Sequence, residues 1–152
     1  MIEARFGHVN IIARDWRALA AFYIRVFGCT IVPPERDYHG PDLSAGTGVP
    51  EAALRGAHLR LPGLGGEGPT LEIYEYAQEL DMPPSAANRR GFGHLAFAVP
   101  DVEAARSIVL AEGGEAVGEI VTLQTSDGRR VTWAYVTDPE GNILEVQSWA
   151  PA

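Results

Sequence analysis

Phe6-Gly7-His8-Val9-Asn10-Ile11, near the start of the chain, is echoed in the second half by Phe92-Gly93-His94-Leu95-Ala96-Phe97. In each copy a histidine opens an apolar run. The same offset separates Asp15 from Asp101 and Gly28 from Gly114. Each half also closes on a Leu-Glu pair inside a second apolar run, Leu71-Glu72-Ile73 and Leu144-Glu145-Val146. Self-similarity kept over so many positions marks a duplicated structural unit.

Between the Asp and the Gly of each copy lies a helical pattern. Residues 17–26 place Leu19, Phe22, Tyr23 and Val26 at helical spacing, and Val102, Ala105, Ile108 and Val109 repeat it. Asp101 suits a helix start, and the glycines at 28, 113 and 114 suit helix ends. β-rich runs precede the helices at 8–12 and 94–99. More follow at 29–32, 57–61 and 70–76, then at 115–123, 130–137 and 143–148. Asp138-Pro139-Glu140-Gly141-Asn142 reads as a tight hairpin turn. Each half is therefore expected to be βαβββ. The fold class is α+β, two such modules forming a cupped mixed sheet around a metal site. A single domain over 1–152 is expected, with modules at about 5–80 and 91–149 and a Pro-rich linker at 81–90. The first half is longer because of residues 33–55, rich in Pro, Gly and Asp. They read as a surface loop and candidate lid.

Strand parity decides where the polar groups point. His8 shares a face with Asn10 and Ile12, opposite Val9 and Ile11. His94 shares one with Ala96 and Ala98, opposite Leu95 and Phe97. Glu72 goes with Tyr74 and Glu145 with Gln147, each opposite purely apolar neighbours. The apolar faces suit helix packing, which leaves two His and two Glu on the other, more polar face. A single His or Glu on a strand is usually structural. Recurrence of the same pair on matching faces of both halves favours a metal site built from His8, Glu72, His94 and Glu145. Imidazole and carboxylate together suit one divalent ion of Zn, Ni, Co, Mn or Fe, and a cation offsets two facing carboxylates.

Other chemistry-bearing residues carry weaker signals. His39 and His58 are expected at the surface. Trp133 and Tyr135 read first as core filler, and with Tyr74 as candidate walls of a substrate pocket that Asn10 and Gln147 also face. The glycine-rich stretch 63–68 precedes a strand instead of opening a helix, which argues against a phosphate cradle. Cys29, the single cysteine, follows Phe27-Gly28 and reads as a small core residue.

Composition bounds the partners. The chain has 152 residues, 46% hydrophobic and 21% charged, as in ordinary globular domains. A formal charge of −8 disfavours nucleic acid, and no apolar run is long enough to span a bilayer. A lone cysteine and an N-terminus without a signal core point to the cytoplasm. A small-molecule substrate remains, with neither nucleic acid nor membrane as partner.

His8-Val9-Asn10-Ile11, Asp15, Phe22-Tyr23, Phe27-Gly28, Gly93-His94-Leu95-Ala96-Phe97 and the run from Asp138 to Glu145 together resemble the vicinal oxygen chelate superfamily, the glyoxalase and bleomycin-resistance fold. The resemblance covers nearly the whole chain. It implies paired βαβββ modules around a divalent metal, with His8, Glu72, His94 and Glu145 at the four ligand positions. It also implies a site formed within one chain or across a homodimer, and a homodimer is the expected partner state. The two-His, two-Glu set is similar to that of glyoxalase I. Ile12, however, stands where that enzyme tends to carry an Arg for glutathione, and Glu72 stands where methylmalonyl-CoA epimerase usually has Gln.

The expected function is a metal-dependent lyase or isomerase, glyoxalase-like or epimerase-like. It would act on a small carbonyl compound through a metal-bound enediolate. Glu145 is the expected base, with Glu72 as second base or fixed ligand. The alternatives are a ring-cleaving non-haem iron dioxygenase of the same fold, or a metal-free small-molecule-binding protein.

Overall fold

A computed structural model describes residues 1–150. The chain divides into two compact units, Met1–Asp81 and a second from Met82 onward. The first unit runs β1 (His8–Ile12), α1 (Trp16–Phe27), β2 (Thr30–His39), α2 (Pro41–Thr47), β3 (Ala53–Arg60) and β4 (Thr70–Tyr76). The second runs β5 (Leu95–Ala98), α3 (Val102–Ala111), β6 (Val121–Gln124), β7 (Arg130–Thr137) and β8 (Ile143–Ala150). Apart from the short α2, both read βαβββ, as the repeat implied.

The sheets have equivalent strand orders, β1-β4-β3-β2 and β5-β8-β7-β6. In each, the first and last strands of the module pair in parallel and the remaining pairs are antiparallel. The glutamate strand of each half is therefore the direct neighbour of the strand that begins at His8 or just after His94. The last strand, flanked on both sides, puts its glutamate near the middle of the sheet.

The helices form where their caps dictate. Asp15 accepts from the backbone N–H groups of Arg17 and Ala18 at 3.0 Å, and Asp101 from that of Ala104 at 3.0 Å. Such caps are each worth about 1 kcal/mol. Gly28 ends α1 in the left-handed region at φ 70°, with its N–H on the Ile24 carbonyl. Each helix lies on the two inner strands of its sheet, α1 on β3 and β4 and α3 on β7 and β8. The residues beneath are those whose parity opposes the glutamates. Leu71, Ile73, Leu144 and Val146 are wholly buried, as are Phe22 and Tyr23 of α1 and Val109 of α3. Cys29 is buried too, and burial pushes its thiol up to about 11, so it is a neutral packing residue at physiological pH.

Three local expectations are corrected. Residues 33–55 are not one loop. β2 continues through the Pro33-Pro34 cis bond and an irregularity before Arg36, then pairs again with β3 as far as His39 opposite Ala53. Backbone pairing with β3 overrides the local effect of the prolines, and α2 occupies most of the stretch between the two strands. The expected strand at 115–123 is broken: Ala116 makes a single bridge to Val136, and the regular strand starts only at Val121, beyond Gly118. Trp133 and Tyr135 are not core filler. They lie half-buried on the face opposite α3, because the even-numbered Ala134 and Val136 take the buried side of β7.

The turn between β7 and β8 follows its sequence. Asp138 is buried and accepts from the N–H groups of Glu140 and Asn142 and from the Asn142 side-chain amide, at 2.8–3.0 Å. Gly141 supplies the positive φ of 91°. This closed turn fixes the start of β8, and so the register that positions Glu145.

Candidate metal centre

Register places the site residues pair by pair. In the first sheet Asn10, Glu72 and His58 lie side by side across β1, β4 and β3. In the second, Ala96, Glu145 and Tyr135 occupy the same places across β5, β8 and β7. In each half a histidine, the first residue of β1 or the residue just before β5, stands two residues before the one paired with glutamate. His8 Nδ1 lies 3.4 Å from Glu72 Oε1, and His94 Nε2 lies 3.0 Å from Glu145 Oε2. The duplicated sequence therefore yields a duplicated imidazole–carboxylate pair.

The carboxylates are the sequestered partners. Side-chain exposure is 10% for Glu72 and 15% for Glu145, against 54% for His8 and 32% for His94. Neither carboxylate has an Arg or Lys partner among the described residues. An anion held this far from water is costly unless paired. Imidazole nitrogen beside carboxylate oxygen is also the donor combination that borderline divalent cations take. In donor type and pairing these residues fit a divalent metal. Among the described residues, no three such groups stand together in an arrangement that would hold an ion by themselves.

The substrate-pocket candidates fall on the same faces. Asn10 is next to Glu72, and Tyr74 is next along β4 on the Glu72 side. Gln147 pairs with Trp133, and Tyr135 with Glu145. The Tyr135 ring lies tilted 4.9 Å from His94 and edge-on 4.7 Å from Trp133, so the three rings form one wall. Burial raises the phenol of Tyr135, and Glu145 adds to the effect. Burial likewise pushes Tyr74 up to about 12, again with a nearby carboxylate, Glu72, contributing. Both hydroxyls therefore remain donors at neutral pH.

His39 is exposed, as expected. His58 is a correction: it is no surface residue, since only 22% of its side chain is exposed and its Nε2 lies 3.1 Å from Glu72 Oε1 and 2.7 Å from the Tyr74 hydroxyl. Burial holds the His58 imidazole below its usual value. Glu72 acts against that shift, and Arg36 and His8 reinforce it. Gly56 makes room for the arrangement, because a Cβ there would overlap the Tyr74 ring and the Ile73 carbonyl. The sequence did contain a signal for His58. A hairpin folded about Gly65 sets residue 58 opposite residue 72.

The family model for the glyoxalase/bleomycin resistance protein/dioxygenase superfamily matches residues 5–146. The chain belongs to that superfamily. Its members commonly bind a divalent metal, and they include many enzymes as well as proteins that are not enzymes. Solved structures similar to this superfamily member include a glyoxalase family protein from Bacillus cereus, 19% identical, covering 99% of this chain and 97% of that one with a TM-score of 0.81. A glyoxalase family protein from Enterococcus faecalis is 24% identical, covering 94% and 96%, with a TM-score of 0.58. A glyoxylase/bleomycin resistance protein/dioxygenase domain from Frankia sp. EAN1pec is 15% identical, covering 99% and 96%, with a TM-score of 0.58. At these identities the likeness establishes the fold alone. No curated protein matches the sequence. No helix among the described residues is long and apolar enough to cross a membrane.

Proposed function

We propose that this superfamily member is a divalent-metal-dependent lyase or isomerase that moves a proton next to a carbonyl group of a small molecule. One ion of Zn, Ni, Co, Mn or Fe would be held by His8 and Glu72 of the first module and His94 and Glu145 of the second. The observation that carries this reading is the repeated imidazole–carboxylate pair, with carboxylates shielded from water and given no Arg or Lys partner among the described residues. When bound, the cation supplies Lewis-acid polarisation of two adjacent substrate oxygens.

The chain's own residues do the proton chemistry. Glu145 takes the carbon-bound proton and returns it to the neighbouring carbon, while His94, 3.0 Å from it, stays as a ligand. Glu72 serves as fixed ligand or second base. Trp133 and Tyr135 wall the approach to Glu145 and limit water beside it, and Asn10, Tyr74 and Gln147 offer polar groups to orient the substrate. The working form is proposed to be a cytoplasmic homodimer.

A screen of metal-loaded protein against hemithioacetals, acyl-CoA thioesters and catechols tests the reaction class. Turnover of a carbonyl compound in D2O, with deuterium entering the carbon beside the carbonyl, is expected. Oxygen uptake on a catechol, without such exchange on any carbonyl compound, would contradict the proposal.

A further inference from the structure

The two halves differ at one position of their shared register. Glu145 has Tyr135 beside it, whereas the equivalent neighbour of Glu72 is His58. The difference changes how the two carboxylates are held. Among the described residues Glu145 has one imidazole partner, His94. Glu72 has two, since His8 Nδ1 at 3.4 Å and His58 Nε2 at 3.1 Å converge on the same oxygen, Oε1. His58 is itself fixed, because Nε2 also meets the Tyr74 hydroxyl at 2.7 Å and the Tyr74 ring lies over Gly56, where no side chain competes for the space. With its hydrogen on Nε2, His58 can donate toward the Glu72 oxygen at 3.1 Å or the tyrosine oxygen at 2.7 Å, whereas a bare lone pair there would face the carboxylate unfavourably.

We infer that His58 is a positioning residue which, backed by Tyr74 and Gly56, would pin Glu72 as a fixed metal ligand, a constraint that Glu145, with Tyr135 in the equivalent place, does not share. The inference rests on the proposed metal site and assigns the two glutamates different roles within it. A residue that holds a ligand carboxylate commonly matters 10- to 100-fold in metal affinity. The partner side chains support a clamp in particular. His58 comes from β3, a different strand from either residue of the His8–Glu72 pair, so Glu72 is gripped from both flanks of β4.

The test is a titration of the metal-free full-length protein with Co(II), reading both affinity and the visible absorption bands at saturation. Wild type is expected to bind. His58→Leu should bind about 10- to 100-fold more weakly. His58→Gln, whose amide N–H can still reach Glu72, should recover most of that loss. The Co(II) bands at saturation should match wild type in both variants, because the coordinating atoms are the same. If His58→Leu folds poorly, Tyr74→Phe, which deletes one oxygen, carries the test with an expected loss of about 2- to 10-fold. Unchanged affinity in whichever of these two variants is used would overturn the role of His58 while leaving the metal site standing. Altered bands in His58→Gln would also overturn it, by making His58 a ligand. A wild-type protein that takes up no Co(II) would remove the metal site and this inference together.

Discussion

Glu145→Gln is expected to leave the fold intact and to lower turnover of a confirmed carbonyl substrate by about 10²- to 10⁴-fold, the usual worth of a positioned acid–base group. The substitution keeps the side chain's length and shape, so the packing of β8 between β5 and β7 is undisturbed. What it removes is the ability to take a proton from carbon, because an amide is far too weak a base. The location of Glu145 supports the size of the effect. It is mostly shielded from water, it faces His94 at 3.0 Å, and Tyr135, its neighbour on β7, packs edge-on against Trp133. No second carboxylate shares its place on the sheet, because the neighbouring positions are Ala96 and Tyr135. The measurement is a steady-state rate on protein whose metal content has been determined in the same sample. A metal-loaded variant with full turnover would remove Glu145 as the base.

Phe22→Ala is expected to cost about 3–5 kcal/mol, a large share of the roughly 5–15 kcal/mol that a domain has in total. Phe22 is wholly buried on the sheet side of α1. Its ring meets Tyr23 edge-on at 5.4 Å and Phe27 at 6.1 Å, so truncation leaves a hole that these flat neighbours cannot easily close. The sheet beneath is the one that carries His8, His58 and Glu72 on its other face. A loosened helix layer should therefore weaken metal uptake along with stability. Urea unfolding of the variant against wild type measures the effect. A loss below about 1 kcal/mol, the scale of a surface change, would show that α1 does not anchor the first module.

Much of this architecture can be read in the residues. The repeated Phe-Gly-His, the capping aspartates and the glycines that stop the helices define two equivalent modules. Alternation along four strands separates Leu71, Ile73, Leu144 and Val146 from Glu72 and Glu145. Such periodicities are local, and the chain obeys them because one face of each sheet must be buried under a helix.

The features that stayed hidden depend on pairing between distant segments. Pro33-Pro34 breaks the local strand pattern, yet β2 continues beyond it because β3 supplies the hydrogen-bonding partner. His58 resembles any histidine on a short strand until the β3–β4 register sets it against Glu72. Trp133 and Tyr135 have the composition of core residues, and only the burial of Ala134 and Val136 shows that they face the other way. In each case the sequence states the residue, and the cross-strand neighbour determines its use.

The central claim is that one divalent ion is held by an imidazole–carboxylate pair from each module. Elemental analysis of protein purified without chelators, beside His8→Ala and His94→Ala, tests it most directly. The expected result is about one transition-metal ion per wild-type chain and a clear loss in both variants, since each removes one nitrogen ligand. Wild-type protein that stays metal-free when supplied with Zn, Ni, Co, Mn or Fe would contradict the claim, as would a full complement of metal in either variant.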